Sequence, residues 1–560
     1  MTINDVSNLF GFFGGLGMFL YGMNIMADGM QKSAGSKMNQ FLGMLTNNRL
    51  MAVCLGALIT AIIQSSGATT VMVVGFVSAG VLNLTQAVGV IMGANIGTTI
   101  TAWIVSLSQL GDAMEVMKPV FYAPLLLGMG ALMILFSKKP KLRTIGEIFV
   151  GLGLLFIGLD FMSGSISPYT KAPVFSKAFE VLGGNPLLGM IIGALVTALL
   201  QSSSASVGIL QTLAMNGVVT TNAAIYITLG QNIGSCVTAI LSSMGGTRTA
   251  KRAAVMHLSF NVLGAVLFGA GSFLLFALRP ALAARGITAV QISVFHTIFN
   301  LVNTTLLFPF ANQLVELSGV LVKESQEDKI REAERGEEEE ETSIKHLDER
   351  IFESPAFAIE VAAMEVVHMG QITMKNVKRG IDAILNGSLE ETEEVYRTEE
   401  MIDRMEKRLT EYLIKIDNLS LTEHQKRVVN DLFYSVSDIE RVGDHAENLA
   451  ECASYLMEHD LKVSETGVQD LREISKSVFK AFENAIEARR SGNMDCVRRV
   501  SQYEDEVDSL EEELREKHIE RLSSGRCIPS AGVVFLDILT NLERISDHAY
   551  NLAGYIKNEI

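Results

Sequence analysis

Seven stretches of the chain stay apolar for about the roughly 20 residues that a helix needs to cross a bilayer: 8–30, 86–108, 119–137, 145–163, 222–243, 254–278 and 291–316. Two more, 50–82 and 187–219, are equally apolar but are interrupted midway by amides and hydroxyls, in "AIIQSSGATT" and "ALLQSSSAS". Each arm beside such a cluster is only half to three-quarters of a span. The pattern therefore predicts re-entrant hairpins, whose turns are tolerable at membrane depth only under cover of other protein or water. From about residue 350 the pattern changes to apolar residues at helical spacing on long charged segments, which predicts amphipathic helices with few strand signals. The expected fold class is all-α: a polytopic membrane domain over 1–320 and a soluble helical domain over 350–560. Between them, 321–349 is a charged linker containing "EEEEE".

The apolar half repeats itself. "GALITAIIQSSGATT" from Gly56 matches "GALVTALLQSSSASV" from Gly193 at an offset of 137, and "GANIGTTITA" from Gly93 matches "GQNIGSCVTA" from Gly230 at the same offset. Upstream, "GLGMFLYGMNIM" from Gly15 matches "GLGLLFIGLDFM" from Gly151, so the copies run over about 10–108 and 147–243. Loop charges orient them, because Lys and Arg favour the cytoplasmic side. The loop 109–118 carries Asp112, Glu115 and Lys118, whereas its counterpart 244–252 carries Arg248, Lys251 and Arg252. With the basic loops around Lys32, Lys138 and Arg252 all cytoplasmic, the copies become inverted repeats with the N-terminus outside and residue 317 onward inside. Arg279 and Arg285 then fall outside, against the trend. Inverted repeats of secondary transporters place their site near the midplane, where the copies meet.

Charge separates the halves: residues 1–320 hold 15 Lys and Arg against 8 Asp and Glu, while 321–560 hold 31 against 54. The acidity belongs to the soluble half. Five cysteines without CxxC spacing suggest neither a disulfide framework nor a zinc ribbon. "MTINDVSNLF" lacks a basic n-region, so no cleavable signal peptide is expected.

Polar clusters in hydrocarbon are expensive unless something partners them. Ser65, Ser66, Thr69 and Thr70, with Ser202, Ser203, Ser204 and Ser206, offer hydroxyl donors to an oxyanion and lone pairs to sodium, and Gln64 and Gln201 offer both from one amide. A hairpin tip before a half-helix adds backbone N–H groups and the positive end of the helix dipole. Glycines around Asn95 and Asn232 suggest helix breaks that free carbonyls for a cation. Serine, threonine and glycine also serve plain helix packing, but two gapless copies argue against packing alone. His257 and His296 lie on apolar runs, where a satisfied structural histidine is expected.

The paired "QSSGATT" and "QSSSAS", each followed by "GANIGTT" or "GQNIGS", resemble the signature of the type II sodium/phosphate cotransporter family. The resemblance implies inverted repeats, two re-entrant hairpins and sodium-driven movement of inorganic phosphate. It places phosphate near Ser65, Ser66, Thr69, Ser202, Ser203 and Ser204. It places sodium near the glutamines and nearby hydroxyls; together with the carbonyls expected at the glycine-flanked asparagines, the candidate sodium ligands are Gln64, Gln201, Asn95, Thr98, Asn232 and Ser235. Gly67 replaces a serine in the first copy and removes one hydroxyl contact.

The soluble half also repeats. "ERVGDHAENLAE" from Glu440 matches "ERISDHAYNLAG" from Glu543, and "EEMIDRMEKRL" from Glu399 matches "EDEVDSLEEEL" from Glu504, implying two three-helix units. Each unit has two ExxxD pairs: Glu399/Asp403 and Glu440/Asp444, then Glu504/Asp508 and Glu543/Asp547. Residues four apart share a helix face, and facing carboxylate pairs can hold metal in bundles. These motifs resemble the PhoU family, with Ser546 where the first copy has Gly443. The resemblance implies a phosphate-regulatory domain with a divalent, iron or zinc-type metal on its carboxylate faces.

The sequence thus predicts a sodium/phosphate symporter of the cytoplasmic (inner) membrane, not an enzyme, with its PhoU-like domain in the cytoplasm. Its expected partners are phosphate, sodium, the lipid bilayer and a cytoplasmic regulator or a second copy, but no nucleic acid. A carrier of another oxyanion and a non-transporting phosphate sensor are the competing readings.

Overall fold

The structure, a computed structural model, describes residues 3–43, 48–109, 118–170, 173–244, 246–323, 343–344 and 346–559. Asp112, Glu115 and most of the charged linker lie outside the described residues. Two compact units separate by their internal contacts: Met1–Arg331 with Asp348–Ser354, and Glu332–Leu347 with Pro355–Ile560.

In the first unit, α1 (Ile3–Gly43), α2 (Arg49–Ile63), α3 (Ser66–Ser78) and α4 (Leu84–Ser106) carry the first copy, and α5 (Pro119–Phe136) follows. The second copy comprises α6 (Pro140–Ile166), α7 (Pro173–Gly184), α8 (Pro186–Leu200), α9 (Ser203–Met215), α10 (Thr221–Gly234) and α11 (Cys236–Ser243). The unit ends with α12 (Arg248–Leu278), α13 (Pro280–Ala283), α14 (Ala289–Leu307) and α15 (Ala311–Leu321). Among the described residues, seven helical segments are long and apolar enough to span a membrane, one for each stretch read from the sequence. Large apolar side chains such as Phe121, Leu135, Phe136 and Leu274 lie exposed on their flanks, as lipid-facing surface requires.

α2 and α8 have 15 residues each, and α3 and α9 have 13. At 1.5 Å per residue these arms reach about 20 Å, short of the roughly 30 Å hydrocarbon thickness. Each pair is a helix–turn–helix hairpin whose first arm packs against the helix of the following "GxNIG" segment, α4 or α10. A Cβ on Gly56 would lie 2.1 Å from the Val90 carbonyl oxygen, and one on Gly193 would lie 2.1 Å from that of Ile227. Glycine is required there because α2 meets α4, and α8 meets α10, backbone to backbone. The two copies therefore share their packing as well as their sequence.

One expectation fails. α4 runs unbroken through Asn95, whose Nδ2 donates to the Ile91 carbonyl at 3.0 Å, while Thr98 Oγ1 donates to that of Ala94 at 3.0 Å. The glycines of this segment serve close packing: a Cβ on Gly93 would lie 2.0 Å from the Val53 carbonyl oxygen. Only the second copy is interrupted, at Ser235 between α10 and α11.

A seven-residue segment, Asp348–Ser354, belongs to the first unit although it precedes the soluble helices in sequence. Its 3-10 turn Glu349–Glu353 lies on α3: Ile351 is fully buried, and Arg350 Nη2 donates to Ser78 Oγ.

The second unit is two three-helix sets. α16 (Pro355–Asn386), α17 (Leu389–Asp417) and α18 (Glu423–Glu458) form one, and α19 (Glu465–Ser491), α20 (Met494–Ser523) and α21 (Pro529–Glu559) form the other. Buried stripes of Leu, Ile, Val and Ala fill both, and an Arg489–Glu559 pair at 2.5 Å joins α19 to α21. α18 and α21 pack against each other. No strand occurs among the described residues.

Candidate functional site

The two hairpin tips meet. Ser66 Oγ at the start of α3 lies 3.4 Å from Ser203 Oγ at the start of α9, across 137 residues of sequence. A cavity of ≈ 20 Å³ between the tips is lined by Gln64, Ser65, Ser66, Gly67, Gln201, Ser202, Ser203 and Ser204, with Ser235 and Thr238 from the second copy. This volume admits about one water-sized occupant, so a tetrahedral oxyanion could enter only if the tips separate.

Local geometry is duplicated residue for residue. Gln64 and Gln201 occupy the left-handed region at φ 58° and 51°, a conformation that costs a non-glycine residue about 1–2 kcal/mol. Such strain persists where its surroundings enforce it, and it clusters at functional positions. Ser65 and Ser202 follow with the same φ −143° and ψ 108°. Their Oγ atoms cap the next helix by accepting from Ala68 N at 3.1 Å and Ala205 N at 3.2 Å. Behind each cap the first N–H groups of the helix point out of its end. Two helix N-termini and several hydroxyls thus face one small space with no acidic side chain in its lining, a lining suited to an anion.

The remaining sequence-predicted residues sit around this core. Thr69 Oγ1 accepts from Thr60 Oγ1 at 3.0 Å, tying the two arms of the first hairpin together. Gln64 Oε1 accepts from Thr101 Oγ1 at 2.9 Å. Asn232 and Ser235 are buried on α10 and at its end, with Ser235 Oγ donating to the Asn232 carbonyl at 2.7 Å. Asn95 and Thr98 are buried on α4 but do not line the cavity.

Thr60, Thr101 and Thr238 escaped the sequence reading. Thr101 and Thr238 hold matching places in the two "GxNIG" segments, a signal the repeat already carried. Thr238 also bears on the hydroxyl missing at Gly67: a Cβ there would lie 3.3 Å from Thr238 Oγ1, so the second copy brings a hydroxyl to the side where the first has none.

In the second unit, ligand atoms of Glu399, Asp403 and Asp444 lie within 4.8 Å of one another, as do those of Glu504, Asp508 and Asp547. Glu440 and Glu543 are not members of these groups. Burial first, then the neighbouring carboxylates, push Glu399 up to about 8 and Glu440 up to about 7. The same causes raise Asp444, Glu504, Asp508 and Glu543. The motif histidines turn elsewhere: His548 Nδ1 pairs with Asp438 Oδ1 at 2.7 Å and His445 Nδ1 contacts Asn541 Oδ1 at 2.8 Å, joining α18 to α21. Tyr555 donates to the other oxygen of Asp438 at 2.7 Å.

The Na+/Pi-cotransporter family model matches residues 18–164 and 170–302, half of the chain, and the chain belongs to that family. It is a multi-pass membrane protein. The PhoU domain model matches twice, at 366–453 and 471–556. The "Putative inorganic phosphate export protein YjbB" of Escherichia coli is 24% identical over 90% of this chain and 89% of its own length. Human "Sodium-dependent phosphate transport protein 2B" is 38% identical over 18% of this chain and 15% of its own. The PhoU crystal structure from Pseudomonas aeruginosa covers 36% of this chain and 96% of its own, at 25% identity and a TM-score of 0.35.

Proposed function

We propose that residues 1–320 move inorganic phosphate across the cytoplasmic membrane coupled to sodium, without enzymatic chemistry, and that residues 350–560 regulate this from the cytoplasm through the linker 321–349. The observation that carries the reading is the meeting of Ser66 with Ser203 between two capped helix N-termini. Phosphate would sit among Ser65, Ser66, Thr69, Ser202, Ser203 and Ser204. Sodium would be held by Gln64, Gln201, Asn95, Thr98, Asn232 and Ser235, which supply neutral oxygens and no charge. The copies would lie inverted in the bilayer, their hairpins entering from opposite faces.

The names of two relatives support parts of this reading: one is named for phosphate export, the other for sodium dependence. Export is the favoured direction, since the relative so named matches nine-tenths of the chain. The carboxylate triads of the second unit offer oxygen ligands to a divalent or iron-type cation, which would screen their mutual repulsion. Reconstituted protein tests the whole: phosphate flux that follows a sodium gradient supports it, sulfate flux at equal rates favours a general oxyanion carrier, and phosphate binding without flux makes the protein a sensor.

A further inference from the structure

Beyond the hairpins, a shorter motif occurs twice. "HLSFN" at His257–Asn261 on α12 and "HTIFN" at His296–Asn300 on α14 share the form HxxFN, 39 residues apart. All four polar side chains are at most 1% exposed. The two histidines are not the satisfied residues the sequence suggested, and the asparagines share the deficit. Neither ring nitrogen of His257 has a partner, nor has Nδ1 of His296, nor the amide oxygen of Asn261 or Asn300.

The amide orientations are set by the backbone. Asn261 Nδ2 donates to the His257 carbonyl at 3.1 Å, and Asn300 Nδ2 to the His296 carbonyl at 2.9 Å. Flipping either amide would set oxygen against oxygen. Each asparagine therefore turns an acceptor, stripped of water, into the protein interior, where an unmet acceptor is destabilising.

Both lie beside the "GxNIG" segments. Asn261 Nδ2 is 3.4 Å from Cys236 Sγ, and Cys236 directly follows Ser235 of the cavity lining. On α14, Ser293 Oγ donates to the Ala102 carbonyl at 2.8 Å and Thr304 Oγ1 to that of Met92 at 3.4 Å. Asn300 falls between these two on the same helix face, opposite the 93–101 stretch of α4. The two asparagines thus back corresponding segments of the two copies.

We propose that Asn261 and Asn300 are monovalent-cation ligands, their amide oxygens forming one sodium station behind each "GxNIG" segment. The ligand class follows from the lone pairs. A phosphate oxygen would face another acceptor and be repelled, whereas a hard cation takes neutral oxygens. The imidazoles beside them give water accompanying the ion a partner. This inference rests on the sodium-coupled reading of the hairpin site and adds residues outside it.

The test is phosphate flux into proteoliposomes at varied sodium, for wild type, Asn261→Ala, Asn300→Ala and the corresponding Asp variants. The expected result is a half-saturating sodium concentration raised about tenfold in each Ala variant, equivalent to one lost charge-assisted contact. The phosphate KM at saturating sodium stays unchanged, and the Asp variants, which keep an oxygen, recover the sodium response. A structural role would instead move sodium and phosphate constants together and leave Asp no better than Ala; that result overturns the proposal. So does an unchanged sodium constant in well-inserted Ala variants, as for a trapped water alone. Wild-type flux indifferent to sodium overturns the coupling reading itself and this proposal with it.

Discussion

Arg350 donates to the hydroxyl of Ser78 at 2.6 Å while its Nε donates to Asp348 Oδ1 at 2.8 Å. Ser78 closes α3, the helix whose other end carries Ser66, and Ile351 beside the arginine is fully buried. The turn therefore holds the far end of the helix that presents the hydroxyl site. The soluble helices begin at Pro355, so a rearrangement among them has a short covalent route to α3. Arg350→Ala should weaken this docking by about 1.5–3 kcal/mol, the worth of a charged hydrogen bond. Phosphate flux in Arg350→Ala should shift in the same direction as in a chain ending near Leu321. Equal rates and equal sodium dependence in all three proteins, at matched insertion, would reject regulation in cis.

Ser66→Ala and Ser203→Ala each remove one of the two hydroxyls that meet between the tips. A hydrogen bond to a charged group contributes about 1.5–3 kcal/mol, so each variant should weaken phosphate handling roughly 10- to 100-fold. Initial rates at varied phosphate, with membrane insertion measured in parallel, decide it. Normal kinetics in both variants would remove the hydroxyl-site model.

The alternation of apolar runs and polar clusters made the seven spans and the two interrupted hairpins legible, because a span is fixed by length and hydropathy alone. Duplication made Ser66 and Ser203 legible as partners. What pattern could not give was how the glycines are used. Gly93 precedes Asn95 in a way that suggested an opened helix, yet its missing side chain admits the Val53 carbonyl and the helix stays whole. Thr238 and Arg350 depend on contacts between distant parts of the chain, and no local period encodes those. The HxxFN pair was visible in the sequence, but its unmet oxygens emerge only once the surrounding helices close over them.

The loop charges predict a topology that can be tested with single cysteines in a chain freed of its own five. Gly286, exposed in the loop before α14, and Lys138, exposed before α6, should fall on opposite faces. An impermeant thiol reagent applied outside should label Gly286→Cys and leave Lys138→Cys untouched until the membrane is opened. Labelling of both from one side would defeat the inverted arrangement.

The carboxylates of the second unit predict a pH dependence whose sign metal should reverse. Burial, then Asp403, Glu447 and Asp444, hold Glu399 near 8 instead of its ordinary 4.5, and similar causes hold Glu440 near 7. A carboxyl raised on folding binds its proton more tightly in the folded state. Its contribution is fully present below about 4.5 and is lost as pH climbs through about 7 to 8. Without metal, α17 and α18 should therefore exchange their amide hydrogens more readily at pH 8 than at pH 5, after correction for the intrinsic rate. A divalent cation binds the ionised triads of the folded form and should restore protection at pH 8, by an amount set by its concentration over its dissociation constant. Asp444→Ala with Asp547→Ala deletes one ligand from each triad. The double variant should lose the metal effect and, with fewer like charges facing Glu399, show a shallower decline with pH. Protection that rises from pH 5 to 8 without metal would contradict the assigned repulsion, and a metal effect surviving in the double variant would place the ion elsewhere.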